Sequence, residues 1–333
     1  MQGKRGKVLF GATLLMVVLV VTFVVNSKKT GAKAPLELKV QGTHIMNSKG
    51  KKLQLKGIST HGLSWYPEYV NKKAFKYMKK NWNINTVRLA MYTAEYNGYC
   101  TGDAANRQRL IKLIDDGVKY AEEAGLYVII DWHILSDGNP MTYKKESLEF
   151  FKMMAKKYNG KSHVIYEICN EPNGAVTWNN VKTYAESVLE VIRKYDKDAI
   201  VIVGSPTWSQ DVDIAAADRI SEKYGNVVYA LHFYAATHGE NLRQKAQKAL
   251  DAGLPLFVSE FGICDASGNG GINKKEAKKW FKFLKANKIA MIAWNLSNKN
   301  ESSAFIKSGC NKLTGWKKRE LSSSARFVID KYK

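Results

Sequence analysis

Val164-Ile165-Tyr166-Glu167-Ile168-Cys169-Asn170-Glu171-Pro172 decides how this chain is read. It begins as an apolar, β-branched run, the pattern of a buried strand. It ends in Asn-Glu-Pro. Proline donates nothing to a strand ladder and holds the residue before it extended. The strand is therefore expected to stop at Glu171, with that carboxylate at its carboxyl end. Leu256-Phe257-Val258-Ser259-Glu260-Phe261-Gly262 has the same build: an apolar strand, a glutamate, then a glycine turn. One acid at a strand end is ordinarily solvated and inert. Two of them, on two strands of one parallel barrel, would meet at the face where such folds build their active sites.

Strand and helix patterns alternate on both sides of these stretches. Leu38 to Leu55 alternates apolar and polar residues around Asn47-Ser48-Lys49-Gly50, a hairpin pattern suited to plugging the bottom of a barrel. Strands are expected at 53–58, 85–92, 127–133, 164–171, 200–205, 226–234, 255–261 and 290–295. Helices are expected at 74–81, 107–124, 147–158, 183–195, 241–252, 274–287 and 322–332. The second helix shows the reasoning: Leu110, Ile111, Ile114, Val118 and Ala121 recur at helical spacing, and Gly125 ends it. Alternation of this kind implies a parallel sheet, and eight units imply closure. No glycine-rich phosphate fingerprint follows the first strand, which argues against a dinucleotide fold. The expected class is α/β, a single (β/α)8 TIM barrel with a short N-terminal hairpin.

The 333 residues suit one barrel of roughly 250 residues with trimmings. Val8 to Val25 carries no charge and follows Lys4, Arg5 and Lys7, the arrangement of an export signal. Ala32-Lys33-Ala34 offers a small-x-small cleavage site, yet the apolar run approaches the length of a spanning helix. Residues 1–34 are thus expected to be a signal peptide or a membrane anchor, and 35–333 the catalytic barrel, outside the cell in both cases. Net charge is +22. Six cations and no acid stand before Pro35, leaving +16 for the rest. The lysines are scattered over helix faces, as at Lys152, Lys156 and Lys157, without an arginine–aromatic cluster, so no nucleic-acid partner is expected. Cys100, Cys169, Cys264 and Cys310 show neither CxxC nor metal-ligand spacing. Cys169 reads as a buried apolar filler. No metal, no cofactor and a monomeric state are expected, and no disulfide pairing is assigned.

The ends of the expected strands carry His61, Arg88 with Tyr92, His133, Asn170 with Glu171, His232 with Tyr234, Glu260 and Trp294, with Trp208 just beyond the fifth. A lone histidine such as His133 is ordinarily a hydrogen-bonded core residue, and a lone tryptophan ordinarily packs in a core. Polar or aromatic groups on all eight strands form a constellation. Paired carboxylates flanking a bond are what glycoside hydrolysis requires. Glu171 suits the general acid, which must hold its proton near neutrality. Glu260 suits the nucleophile, kept ionised by donors such as Arg88 and Tyr234. Asn170 suits a donor to a sugar 2-hydroxyl. His133 and His232 suit the orienting of carboxylates, and Trp65, Trp208 and Trp294 offer flat faces to pyranose rings.

The motifs Lys56-Gly57-Ile58-Ser59-Thr60-His61-Gly62, Val87-Arg88, Asp131-Trp132-His133, Asn170-Glu171-Pro172, His232-Phe233-Tyr234, Ser259-Glu260-Phe261-Gly262 and Ala293-Trp294-Asn295 resemble glycoside hydrolase family 5. Within it they are most similar to bacterial endo-β-1,4-glucanases. The resemblance runs from about Leu36 to the end. It implies a retaining enzyme with Glu171 as acid/base and Glu260 as nucleophile. Arg88, His133, Asn170, His232, Tyr234 and Trp294 match the family's other active-site positions. His61, Trp65, Tyr66, Tyr92, Trp208, Lys299 and Glu301 fall where cellulase-like members contact glucose units. The expected substrate is a β-glucan polysaccharide. Mannan, xyloglucan and mixed-linkage glucan stay open, as does a non-catalytic carbohydrate-binding barrel. The basic charge and the lack of a linker or carbohydrate-binding module depart from the family pattern.

Overall fold

The computed structural model describes residues 1–3 and 34–333; the apolar run Val8–Val25 and its flank, including Ala32 and Lys33, lie outside the described residues. A two-stranded hairpin comes first, β1 (Leu38–Gln41) and β2 (His44–Asn47). Eight strands follow: β3 (Lys56–Thr60), β4 (Thr86–Tyr92), β5 (Tyr127–His133), β6 (Val164–Glu167), β7 (Val201–Val203), β8 (Val227–Tyr234), β9 (Leu256–Gly262) and β10 (Ala290–Leu296). They close in chain order into one barrel, every neighbouring pair parallel, with β10 beside β3. The longer helices are α1 (Lys72–Asn81), α2 (Ala104–Ala124), α3 (Lys144–Tyr158), α4 (Trp178–Tyr195), α5 (Val212–Ala217), α6 (Glu240–Asp251), α7 (Lys274–Ala286) and α8 (Ser323–Tyr332). The expected (β/α)8 barrel with its hairpin is present. Among the described residues no helix is long and apolar enough to cross a membrane.

Local chemistry accounts for the helix boundaries. Asn71, Asp103, Thr177, Asn273 and Ser322 each cap a helix N-terminus through the side-chain oxygen, satisfying backbone donors that otherwise face no partner. Gly125 ends α2 in the left-handed conformation, φ 69°, which costs glycine little. Lys79, Lys80, Lys156, Lys157, Arg193 and Lys194 lie in last turns, where cations complement the helix dipole.

Several boundaries differ from expectation. The hairpin turns at Gly42-Thr43, not at Asn47–Gly50, which makes a second turn back to a Met46–Lys52 bridge. The first barrel strand starts at Lys56 rather than Leu53. β6 stops at Glu167, not Glu171: the Ile168 amide still reaches the Ile202 carbonyl, but Asn170 and Glu171 stand on the loop above. The short α5 after β7 was not anticipated.

Strand alternation sorts the core into layers. Val87, Leu89 and Met91 on β4, with Val128, Ile130 and Trp132 on β5, face outward onto the helices. Tyr127, Ile129, Ile165, Ile202, Val228, Ala230, Phe257 and Ile292 face inward and fill the lower barrel. Leu38 and Ile45 of the hairpin pack onto this inner cluster, so the hairpin does plug the bottom. Further up each strand, the same inward phase turns polar: Arg88, Asp131, Glu167, His232 and Ser259, all at most 1% exposed. Above them the barrel opens.

Candidate active site

Arg88 is the hub of the polar layer. It lies mid-strand on β4, fully buried inside the barrel, not at the strand's end as its sequence position suggested. Nε donates to Glu167 Oε2 at 2.7 Å, Nη1 to Glu260 Oε2 at 3.0 Å, and Nη2 to Asn170 Oδ1 at 2.6 Å. Nη2 also stands 3.1 Å from Asp131 Oδ2. The planar fork can serve several carboxylates at once without losing its charge. Burial works against that charge, but Asp131, Glu167 and Glu260 outweigh it and raise the guanidinium's pKa further.

Glu260 is held at both oxygens: Arg88 binds Oε2, and the Tyr234 hydroxyl donates to Oε1 at 2.7 Å. A bulge puts it there. Ala230 pairs with Phe257 but His232 pairs with Glu260, so β9 carries one residue more than β8 across that step. An extra residue lets two neighbours share one face. Ser259 and Glu260 consequently both reach the interior.

Glu171 Oε1 accepts from His232 Nδ1 at 2.9 Å, and His232 Nε2 lies 2.9 Å from Ser259 Oγ. Ser259 Oγ donates to Glu167 Oε1 at 2.6 Å. An unbroken chain thus runs Glu171–His232–Ser259–Glu167–Arg88–Glu260. Burial lowers the His232 pKa, but hydrogen bonding to Glu167 and Glu171 overrides it and lifts the value to about 9. Burial also opposes the Glu167 charge, yet Arg88 and His232 hold its pKa at about 2. Asp131 is driven well above the usual carboxylate range: burial, joined by repulsion from Glu167 and Glu260, overrides the opposing pull of Arg88. His133 is the opposite of His232: burial and the nearby Arg88 lower it to about 3. Its Nδ1 is 2.6 Å from Asp131 and its Nε2 is 3.3 Å from Asn170 Nδ2, the arrangement of a neutral ring. Asn170 also donates to the Ile134 carbonyl at 3.0 Å. Giving a proton to a sugar hydroxyl therefore requires it to release the long contact to His133.

This chain yields a prediction. A group whose folded pKa is raised adds stability below its unfolded value, and that stability fades as pH climbs through the folded one. Ser259→Ala cuts the link between His232 and Glu167 and strands buried polar atoms, a cost of about 1–3 kcal/mol. The gap in melting temperature between wild type and Ser259→Ala is expected to be widest below about pH 6.5. It should narrow as pH rises through about 9, the His232 value. A gap independent of pH would show that Ser259 does not support the imidazolium.

Above the layer is a cleft of about 810 Å³. Of the fifteen candidate site residues, thirteen line it: Glu171, Glu260, His133, His232, Tyr234, His61, Trp65, Tyr66, Tyr92, Trp208, Trp294, Lys299 and Glu301. Arg88 and Asn170 lie beneath, buried. Tyr92, His133 and Trp294 form one aromatic wall, with Trp294 stacked on His133 at 5.3 Å between centroids. Trp208, 45% exposed, lines the same cleft. It sits in three successive left-handed residues, Thr207, Trp208 and Ser209, φ 56°, 53° and 57°. Each costs about 1–2 kcal/mol without glycine. Bonds from Trp208 N to the Pro172 carbonyl and from Ser209 Oγ to the Asn170 carbonyl tie the loop to the Asn-Glu-Pro segment. Lys299 Nζ is 2.6 Å from Glu301 and 3.4 Å from His61 Nε2.

Asp131, Glu167 and Ser259 were not singled out from sequence. A signal existed: each is a polar residue in an apolar run, in inward phase with residues of the site.

One donor atom each of Glu171, His232 and Glu260 lies within 4.8 Å of the others, a spacing open to a metal ion. The donor chemistry fits poorly. The His232 imidazolium has no free lone pair at Nδ1, and both Glu260 oxygens are engaged.

The family model for cellulase, glycosyl hydrolase family 5, matches residues 46–300. The chain belongs to glycosyl hydrolase family 5. It is 45% identical over 295 residues to Endoglucanase A of Butyrivibrio fibrisolvens, covering 88% of this chain and 68% of that protein. It is 45% identical over 293 residues to an endoglucanase of Clostridium saccharobutylicum, covering 88% and 64%. The chain spans about two thirds of the length of these relatives. It superposes on the solved cellulase Cel5C_n with a TM-score of 0.83 and 42% identity, covering 89% of this chain and 92% of the other. The catalytic domain of the Thermobifida fusca endoglucanase Cel5A, solved with cellotetraose, gives a TM-score of 0.82 at 33% identity, covering 89% and 97%.

Proposed function

We propose that this protein is a retaining endo-β-1,4-glucanase. The observation that carries the mechanism is the carboxylate spacing: an oxygen of Glu171 lies within 4.8 Å of one of Glu260. Retaining glycosidases hold their carboxyl groups about 5–5.5 Å apart, whereas inverting ones leave roughly 6.5–9.5 Å for a water. Glu260 attacks the anomeric carbon while Glu171 gives its proton to the departing glycosidic oxygen. Glu171 then takes a proton from water, whose oxygen displaces Glu260 and frees the second product. Arg88 and Tyr234 aim the Glu260 carboxylate. His232 donates a hydrogen bond to Glu171 and aims its carboxyl group in both steps, the proton lost in the first being regained from water in the second.

A β-1,4-glucan as substrate is supported by the endoglucanase relatives and by a cleft walled with aromatic rings. The basic-flanked apolar run at Val8–Val25 supports export, with release or tethering decided by its cleavage. Proton NMR of the first products from a soluble cello-oligosaccharide tests the mechanism: the β-anomer is expected before mutarotation, and the α-anomer appearing first would overturn it. Reducing-sugar release from barley β-glucan, mannan and xyloglucan, run side by side, tests the substrate: fastest release from mannan or xyloglucan would keep the residues and move the specificity.

A further inference from the structure

A second cavity of about 610 Å³ adjoins the cleft and shares Lys299 and Glu301 with it. Its lining differs in kind. The cleft presents Trp65, Tyr66, Trp208 and Trp294; the side trough has no aromatic residue. A neutral glucose unit would find no stacking face there. Its charged groups are Lys299, Lys307, Arg319, Glu301 and Glu320. Both acids are already occupied. Glu301 takes Lys299 Nζ at 2.6 Å and Asn295 Nδ2 at 2.7 Å. Glu320 takes Lys312 Nζ at 2.6 Å and the Lys317 amide at 2.7 Å. Lys307 and Arg319 have no acidic partner among the described residues, and they stand in a chain of net charge +22.

Two cations without an acidic partner beside the cleft, with polar Asn300, Ser308 and Ser322 in the same lining, are suited to anionic groups. We propose that the trough beside Lys299 is a subsite for carboxylate groups carried on the glucan chain, held by Lys307 and Arg319. This deepens the glucanase reading and rests on it. Arginine offers a carboxylate a two-toothed fork and lysine a point charge, so the pair tolerates substituents at varied positions. The general basic surface would attract a polyanion too, but without regard to which lysines are present.

The experiment compares carboxymethyl cellulose with neutral hydroxyethyl cellulose at low ionic strength, using the full chain. Lys307→Gln/Arg319→Gln is set against Lys152→Gln/Lys278→Gln, which removes the same charge from exposed helix faces. The trough variant is expected to raise KM for the carboxymethyl polymer about five- to tenfold, the scale of two partly exposed charge pairs. Hydroxyethyl cellulose should be unaffected within about twofold, and added salt should close the difference. Native affinity electrophoresis through the two polymers reads binding without hydrolysis. An equal loss on both polymers, or an equal loss from the control variant, would overturn the subsite. Wild-type failure to cleave either polymer, with the selective retardation intact, would instead overturn the glucanase reading and leave the anionic subsite standing.

Discussion

Glu260→Gln is expected to lower kcat on a soluble β-glucan by about four orders of magnitude or more, the scale at which a removed nucleophile leaves only binding and positioning. The amide keeps the size of the carboxylate and can still accept from Tyr234 or Arg88, so the fold should persist. Asp131 and Glu167 remain on the guanidinium. Glu171→Gln is the informative contrast. Loss of general acid–base assistance costs about 10²–10⁴, but an aryl glycoside with a good leaving group needs no proton in the first step. That variant should therefore form the glycosyl-enzyme from an activated substrate and stall, giving a burst. Azide should then restore turnover, because it attacks without a base. Reversed behaviour, with azide rescue for Glu260 and a burst from its variant, would exchange the two roles. Equal activity in either variant and wild type would remove both assignments.

Arg88→Met is expected to be the most destabilising single change in the barrel interior. It leaves Asp131, Glu167 and Glu260 facing one another in a site that is at most 5% exposed. Breaking a buried ion pair on one side costs about 3–5 kcal/mol, because the remaining charge has lost its partner. For a domain of this size that is a fall in melting temperature of roughly 5–8 °C, measurable by calorimetry. Arg88→Lys should recover part of it, since a point charge meets one or two of the carboxylates but not all. A methionine variant melting within about 2 °C of wild type would mean that these acids take up protons freely and that Arg88 is not their support.

The barrel and the two catalytic candidates were legible because they are written in local chemistry. Proline after Glu171 marks the loop just above β6, Gly262 marks the end of β9, and β-branched runs mark the strands before them. The plug was legible too, though not its turn: Asn47–Gly50 carries the stronger turn composition, while the hairpin reverses at Gly42, φ 57°. What could not be read depends on contacts distant in sequence. Arg88 looks like a strand-end residue until β5, β6 and β9 bring it three carboxylates. The left-handed course at Thr207–Ser209 is opposed by the residues' own preferences and held by bonds to Asn170 and Pro172. The bulge that brings Glu260 inward beside Ser259 exists only against β8.

The last helix bears on how the ring comes together. The Tyr332 hydroxyl donates to the Gly57 carbonyl at 2.7 Å and to the Met291 carbonyl at 3.0 Å, bridging β3 and β10 where the barrel closes. The first of these bonds spans 275 positions of chain. Joining ends so distant costs about 5 kcal/mol of loop entropy, and no contact at the seam offsets it until the intervening strands are paired. Seven of the eight interfaces can form between neighbours in sequence; the eighth cannot. Until it does, β3 and β10 are open edges able to pair with another chain. Closure is thus the step at which assembly competes with aggregation, and α8 is the element that locks it.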